Sequence, residues 1–233
     1  AEAVATTVDA LGGDPGHVEM RVPPRWGVLT REVLAVNMVM AGCKPAYAPV
    51  VRAAMHALGS PHFNLYGIQH TTHKAAPLLI VNGPIRKQLG LNAGSNVFGS
   101  GTRANATIGR ALRLVLLNVG GAWPGDLDKS TLGHPRKYTF CIAEHEEASP
   151  WAPYHVEQGY ARDDSTVFCI AAEPPHSVTN HVANDAQGVL DSIISAMSTI
   201  AHNNAVSSGS CAVVIGPEPV SYTHLTLPTI LLV

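Results

Sequence analysis

The sequence predicts an α/β fold: a mainly parallel sheet with helices on both faces, in a single domain over residues 1–219. Three observations lead there. Leu78–Val81 is a four-residue apolar run closed by Asn82-Gly83-Pro84, the form of a buried parallel strand and its exit turn. Apolar helical stretches, above all Val36–Leu58 and Arg103–Asn118, alternate with such short runs. A second run, Val213-Val214-Ile215, again ends in Gly-Pro after an apolar helix and a His-bearing loop. That echo is compatible with two related α/β halves.

The elements follow in order. Ala1–Leu11 reads as a helix stopped by Gly12-Gly13-Asp14-Pro15-Gly16, and Val22–Gly27 as a turn-rich connector. Thr30 is placed to cap a helix over Arg31–Ala41. A break at Gly42-Cys43-Lys44 precedes a second helix from Pro45, a residue suited to a first helical turn, to Leu58. Phe63–Gln69 (FNLYGIQ) reads as a short strand, and His70–Lys74 as a polar loop. Ile85–Leu89 is a short helix. The glycine- and asparagine-rich Leu91–Gly101 leads to Thr102 and a helix over Arg103–Asn118. Gly120–Pro135 is irregular, with Trp123 expected to pack. Tyr138–Ala143 and Thr166–Ala171 are strands, Tyr154–Tyr160 is a short helix, and Asn184 or Asp185 caps a helix reaching Ala201. Ala212–Ile215 closes the fold. The string from about Val220 to Val233 resembles a translated sequencing adapter and is set apart as an artefactual tail. The opening Ala1, with no Met before it, predicts a truncated or processed N-terminus.

Composition narrows the function classes. Hydrophobic residues make up 46% and charged residues 14%, against a usual charged share of about a quarter. A net charge of −2 gives no basic footprint for nucleic acid. No apolar run approaches the roughly 18 residues of a membrane span, and no signal peptide opens the chain. The four cysteines, Cys43, Cys141, Cys169 and Cys211, show no metal-knuckle spacing and no disulfide framework. A reducing, cytoplasmic setting is expected. The charge-poor composition would suit a homo-oligomer interface, and a large buried core explains it equally well.

Chemistry is expected where strands end. Cys43, read as lying at a helix N-terminus beside Lys44, is a candidate for a thiolate of lowered pKa, with burial as a small hydrophobe the alternative. Beyond the strand ends lie His70 and His73, then Glu144, His145, Glu146 and Glu147, then Glu173 and His176. If those ends converge, His and carboxylate side chains meet, since ligands of open α/β sheets bind at carboxyl ends. His73 would act as acid–base, and Glu144 and Glu146 would position or deprotonate a substrate. Asn82, Arg103 and Asn105 are candidates to bind its anionic group. The Gly-rich loop before Arg103 matches neither the Walker nor the dinucleotide pattern. The alternative is a metal site on His70, His73 and Glu144; there is no HExxH motif. No cofactor is required by the sequence.

Several long strings carry a resemblance: VNMVMAGCKPAYAPVV, APLLIVNGPI, RANATIGRALRLVLLNVGGAWPG, GHPRKYTFCIAEHEEASPW and HVEQGY. Together, between Pro23 and His176, they resemble the bacterial UGSC-family (seleno)proteins. That family takes its name from a selenocysteine-Gly-Ser-Cys motif in a companion domain or subunit. The resemblance implies the larger partner of a selenol- or thiol-bearing module. Ser208-Gly209-Ser210-Cys211 has Ser in the first place and is read as coincidence, and the family's A-E-N-E-E string has Asn where His145 stands. The expected function is therefore an enzyme, or its large subunit, carrying out thiol- or selenol-dependent chemistry on a small anionic substrate. The alternatives are a metal-assisted hydrolase or lyase, and a non-catalytic scaffold for the selenol module.

Overall fold

The computed structural model describes residues 1–183, 185–206 and 210–216. The proposed tail, and Pro217 of the echo, lie outside them. The chain forms two compact units: Ala1–Glu144 with Ala161–Pro174, and His145–Tyr160 with the described residues from Pro175 onward.

The first unit contains α1 (Glu2–Ala10), β1 (Val18–Val22), β2 (Gly27–Thr30), α2 (Arg31–Ala41), α3 (Ala48–Leu58), α4 (Leu65–Gln69), β3 (Ala76–Asn82), α5 (Ile85–Leu89), α6 (Arg103–Asn118), β4 (Cys141–Ala143) and β5 (Thr166–Ala172). Helix α2 starts and stops as its residues dictate. The Thr30 hydroxyl accepts the Val33 N–H at 3.2 Å. Gly42 turns left-handed at φ 86°, and the Cys43 N–H closes on the Met38 carbonyl at 2.9 Å. The core gathers Leu34 and Met38 of α2, Ala54, Met55 and Leu58 of α3, Ile108, Leu112 and Val115 of α6, and Leu79 and Val81 of β3. Leu78 and Ile80, on the other face of β3, are buried as well. At Gly109 a Cβ would come within 2.7 Å of the Phe140 backbone nitrogen, so α6 can lie directly on the approach to β4.

β1 and β2 form an antiparallel hairpin where the sequence reading had only a connector from Val22 to Gly27. The hairpin is tied down by Glu19, whose buried carboxylate accepts from Arg31 Nε (2.8 Å) and Arg52 Nε (2.9 Å) and meets His56 Nε2 at 2.8 Å. Burial alone would raise this carboxyl, but the three partners overcome it and hold it at about 2.

The second sheet corrects the expectation of a mainly parallel array. Its order is β4-β3-β5. β3 pairs with β4 in parallel, Leu79 opposite Cys141 and Val81 opposite Ala143. β3 pairs with β5 antiparallel along its whole length, from Ala76 opposite Ala172 to Asn82 opposite Thr166. The reason is physical: a buried apolar run has the same pattern read in either direction, so it does not reveal orientation.

Phe63–Gln69 is a second correction. Instead of a strand, a 3₁₀ turn at Pro61–Phe63 runs into α4. Asn64, left-handed at φ 53°, caps α4 by accepting the Gly67 N–H, and Leu65 and Gln69 bury together at helical spacing. Trp123 is the third: its ring is half exposed. Order in its loop comes from the backbone, the Trp123 carbonyl accepting the N–H groups of Asp126, Leu127 and Asp128.

The second unit contains α7 (Tyr154–Glu157), α8 (Ala186–Met197) and α9 (Asn203–Val206). Asp185 caps α8 through the Gly188 N–H, as its sequence position suggested. Val213 forms an isolated bridge but no strand, so the echo of Leu79–Pro84 is not matched by a second sheet among the described residues. No single described helix is long and apolar enough to cross a membrane. The segments Arg31–Ala41 and Pro45–Leu58 would reach that length only as a pair bent by 119°, and both contribute to the core.

Candidate functional site

The parallel register of β3 and β4 brings their carboxyl ends side by side. The Glu144 N–H donates to the Val81 carbonyl at 3.2 Å, which seats Glu144 beside Asn82. The Asn82 side-chain amide donates to Glu144 Oε2, and both side chains are buried. Gly83 then turns away at φ +82°, with no room for a Cβ against the Asp164 carbonyl. Arg86, in the first turn of α5, is buried behind them. Its Nε donates to the Gly83 carbonyl at 3.0 Å and its Nη1 to the Glu144 carbonyl at 2.7 Å. One guanidinium thus fixes both strand ends. A carboxylate held by an amide donor beside a buried cation can accept and return a proton without moving. Arg86 was missed in the sequence. Its only signal was its place three residues after the Asn-Gly exit, which alone does not separate a clamp from a surface arginine.

The amino end of β3 is a different cluster. Because β5 runs antiparallel, its own carboxyl end arrives there, and Glu173 joins His73 rather than Glu144. His73 Nε2 lies 2.7 Å from Glu173 Oε1, and Nδ1 accepts the Ala75 N–H at 3.2 Å. With Nδ1 an acceptor, the proton sits on Nε2 and is donated to Glu173. Lys74 Nζ lies 3.4 Å from the other Glu173 oxygen. Nearby, Asp128 receives Arg113 Nη2 at 3.0 Å, Lys137 Nζ at 2.7 Å and the Ser130 hydroxyl at 2.7 Å. Burial would raise the Asp128 carboxyl; Lys137 and Ser130 overcome that and hold it at about 2. His134 anchors the same loop, donating from Nε2 to the Lys74 carbonyl at 2.8 Å while Nδ1 accepts the Arg136 N–H. Burial, reinforced by Lys137, Lys74 and Arg136, keeps its pKa below the ordinary value despite that bond.

The two clusters stand at opposite ends of a seven-residue strand, which at about 3.3 Å per residue separates them by ~20 Å. The convergence expected of His73 and Glu144 does not occur. The alternative metal set fails for the same reason: His70 ends α4 and packs on the Tyr66 ring, His73 pairs with Glu173, and Glu144 lies at the far end. No group of three His, Cys, Asp or Glu side chains among the described residues could hold a metal ion.

Cys43 is also corrected. It does lie just before a helical start, between the left-handed end of α2 and the 3₁₀ turn Pro45–Tyr47 that leads into α3, but its Sγ donates to the Thr107 carbonyl at 3.2 Å. Burial pushes the thiol up to about 11, although Thr107 and Arg103 pull the other way. Arg103 and Asn105, read as grips for an anion, bind backbone. Arg103 donates from Nε and Nη2 to the Gly42 carbonyl at 3.0 and 2.9 Å. Asn105 accepts the Asn92 N–H at 2.8 Å and donates to the Asn92 and Cys141 carbonyls. Cys141 and Cys169 flank Leu79 on either side, with burial raising both thiols.

Glu146 belongs to the second unit, where its Oε1 lies 3.9 Å from Nδ1 of the fully buried His155. His145 is exposed, with its carbonyl closing a turn to Ala148 and Ser149. The sequence reading did not single out His155; nothing in the spacing of Tyr154–Tyr160 sets it apart from a surface histidine. No protein-family model matches the chain, and comparison with curated proteins and with solved structures finds no match.

Proposed function

We propose that the chain is the larger part of an enzyme whose reactive sulfur or selenium atom comes from a companion module, as the resemblance to the UGSC-family proteins implies. The observation that carries this reading is the buried Asn82–Glu144–Arg86 centre at the carboxyl ends of β3 and β4. Glu144 takes up the proton released as the companion's thiol or selenol attacks a small anionic substrate, the new bond to sulfur or selenium forming as a leaving group departs with its bonding electron pair. Asn82 orients the carboxylate, and Arg86 fixes the strand ends that carry both. Cys43 is a core residue in this account, because a thiol near 11 is protonated at neutral pH. The free state of all four cysteines supports a reducing, cytoplasmic setting.

The test uses the complete protein with its companion and follows alkylation of the companion's thiol or selenol by iodoacetate, a small anionic electrophile. Glu144→Gln should slow the reaction by about 100-fold or more, the usual scale for a positioned base. Cys43→Ser should leave the rate unchanged. A Cys43→Ser variant that is folded and inert overturns the assignment. One observation favours a second reading, the scaffold: Arg103 and Asn105 are committed to backbone bonds. An unchanged rate in Glu144→Gln selects it.

A further inference from the structure

We propose that the groove between the β1–β2 hairpin and the connection from α3 to α4 binds a small aromatic carboxylate, stacked on Trp26 and Tyr66 and held by Arg21. The groove has a volume of about 200 Å³. That is below the ~300 Å³ at which drug-sized pockets begin, and it suits a single ring with a short acid arm. Its floor is apolar, formed by the buried Leu58 and Leu65. One wall is aromatic. The Trp26 and Tyr66 rings lie nearly parallel, 18° apart with centroids at 6.3 Å, and remain 53% and 46% exposed. Two large rings stacked in water and left half uncovered offer a surface for a third.

Trp26 is held for this. Its backbone is left-handed at φ 58°, a conformation seldom adopted by a bulky residue. The next residue, Gly27, lies against the Val119 carbonyl with no room for a Cβ. Arg21 Nη1 donates to the Trp26 carbonyl at 3.4 Å. The hairpin therefore fixes the indole outward instead of letting it fold into the core.

Charge sets the ligand class. Arg21 is exposed and keeps further guanidinium donors beyond its bond to Trp26, and no Asp or Glu lines the groove. A carboxylate meets those donors in the planar geometry that arginine favours. A cationic ring of the same size would stack on the same rings but set its charge against Arg21, with no carboxylate in the groove to offset it. The groove shares no residue with the Asn82–Glu144–Arg86 centre, so the proposal holds or fails apart from the catalytic reading.

The experiment titrates the full chain with phenylacetate and with phenethylamine, the same ring with opposite charge, by calorimetry and by the Trp26 indole resonance. Phenylacetate should bind saturably at millimolar concentration or below and shift that resonance, and phenethylamine should bind at least about tenfold more weakly. Arg21→Gln should weaken phenylacetate about tenfold and remove the preference for the acid. Tyr66→Leu should weaken both ligands. Both substitutions are at exposed side chains, and circular dichroism confirms the fold. Absence of saturable binding, equal affinity for the amine, or an unchanged affinity in Arg21→Gln overturns the proposal.

Discussion

The two ends of β3 carry equally polar clusters that are built differently. At the amino end, Asp128 is ringed by Arg113, Lys137 and Ser130, and His73 has both ring nitrogens committed, one to Glu173 and one to the Ala75 N–H. Those bonds tie loop to loop. The Lys129 N–H also donates to the Thr71 carbonyl, and the Ser130 hydroxyl to the His73 carbonyl. At the carboxyl end, the buried Glu144 carboxylate accepts from the Asn82 amide, and the Arg86 guanidinium donates to the Gly83 and Glu144 carbonyls. A carboxylate saturated by cations stabilises a fold but is a poor base, since its pKa is driven down. The amino-end cluster reads as a structural lock, and the proposed function puts the chemistry at the carboxyl end.

The sharpest way to break this division is Asp128→Ala. It leaves Arg113 and Lys137 facing each other with their shared carboxylate gone, and should cost about 3–5 kcal/mol in urea unfolding. It should do so without changing the companion's reactivity in molecules that remain folded. Acid is the next probe. The Asp128 and Glu19 carboxyls are depressed to about 2 in the folded chain from 3.8 and 4.5. Each therefore contributes stability that is full above its unfolded pKa and is lost as pH falls through the folded one. The urea midpoint should decline between about pH 4.5 and pH 2, and Asp128→Asn should flatten part of that decline.

Glu144→Gln sits at the other extreme of the comparison. The Gln oxygen still accepts from Asn82, so unfolding should shift by about 1 kcal/mol or less, while alkylation of the companion falls. A loss of several kcal/mol instead would make the carboxyl end another structural lock. Smallest of all, His73→Ala removes a partly exposed hydrogen bond to Glu173 and should change stability by about 0.5 kcal/mol, measured the same way.

Local structure was legible in the sequence where one residue type settles it. Thr30 and Gly42 bounded α2 as written, Asp185 was one of two cap candidates for a helix that ends at Met197 instead of Ala201, and the Asn82-Gly83 exit marked the end of β3. What failed was long-range. Thr166–Ala171 was recognised as a strand, but its direction was not encoded in an uncharged, half-buried apolar run, and that one sign moved Glu173 from Glu144 to His73. The FNLYGIQ stretch is too short for period alone to separate helix from strand; the Asn64 cap decided it. Glu144 and Asn82 were found because both stand at strand ends. Arg86 was not, because its role depends on carbonyls distant in sequence. Cys43 does stand just before the helical turn at Pro45, but the burial that raises its thiol comes from packing that its sequence neighbours do not reveal.

The central claim is that this chain brings a carboxylate to the reaction and not a thiolate. The pH dependence of Cys43 alkylation, in a variant with the other three cysteines replaced, tests it most directly. The account predicts slow labelling at neutral pH with a midpoint rising toward about 11, or labelling only on unfolding. Rapid labelling with a midpoint below the ordinary thiol value of about 8.5 would contradict it and return the reactive sulfur to Cys43.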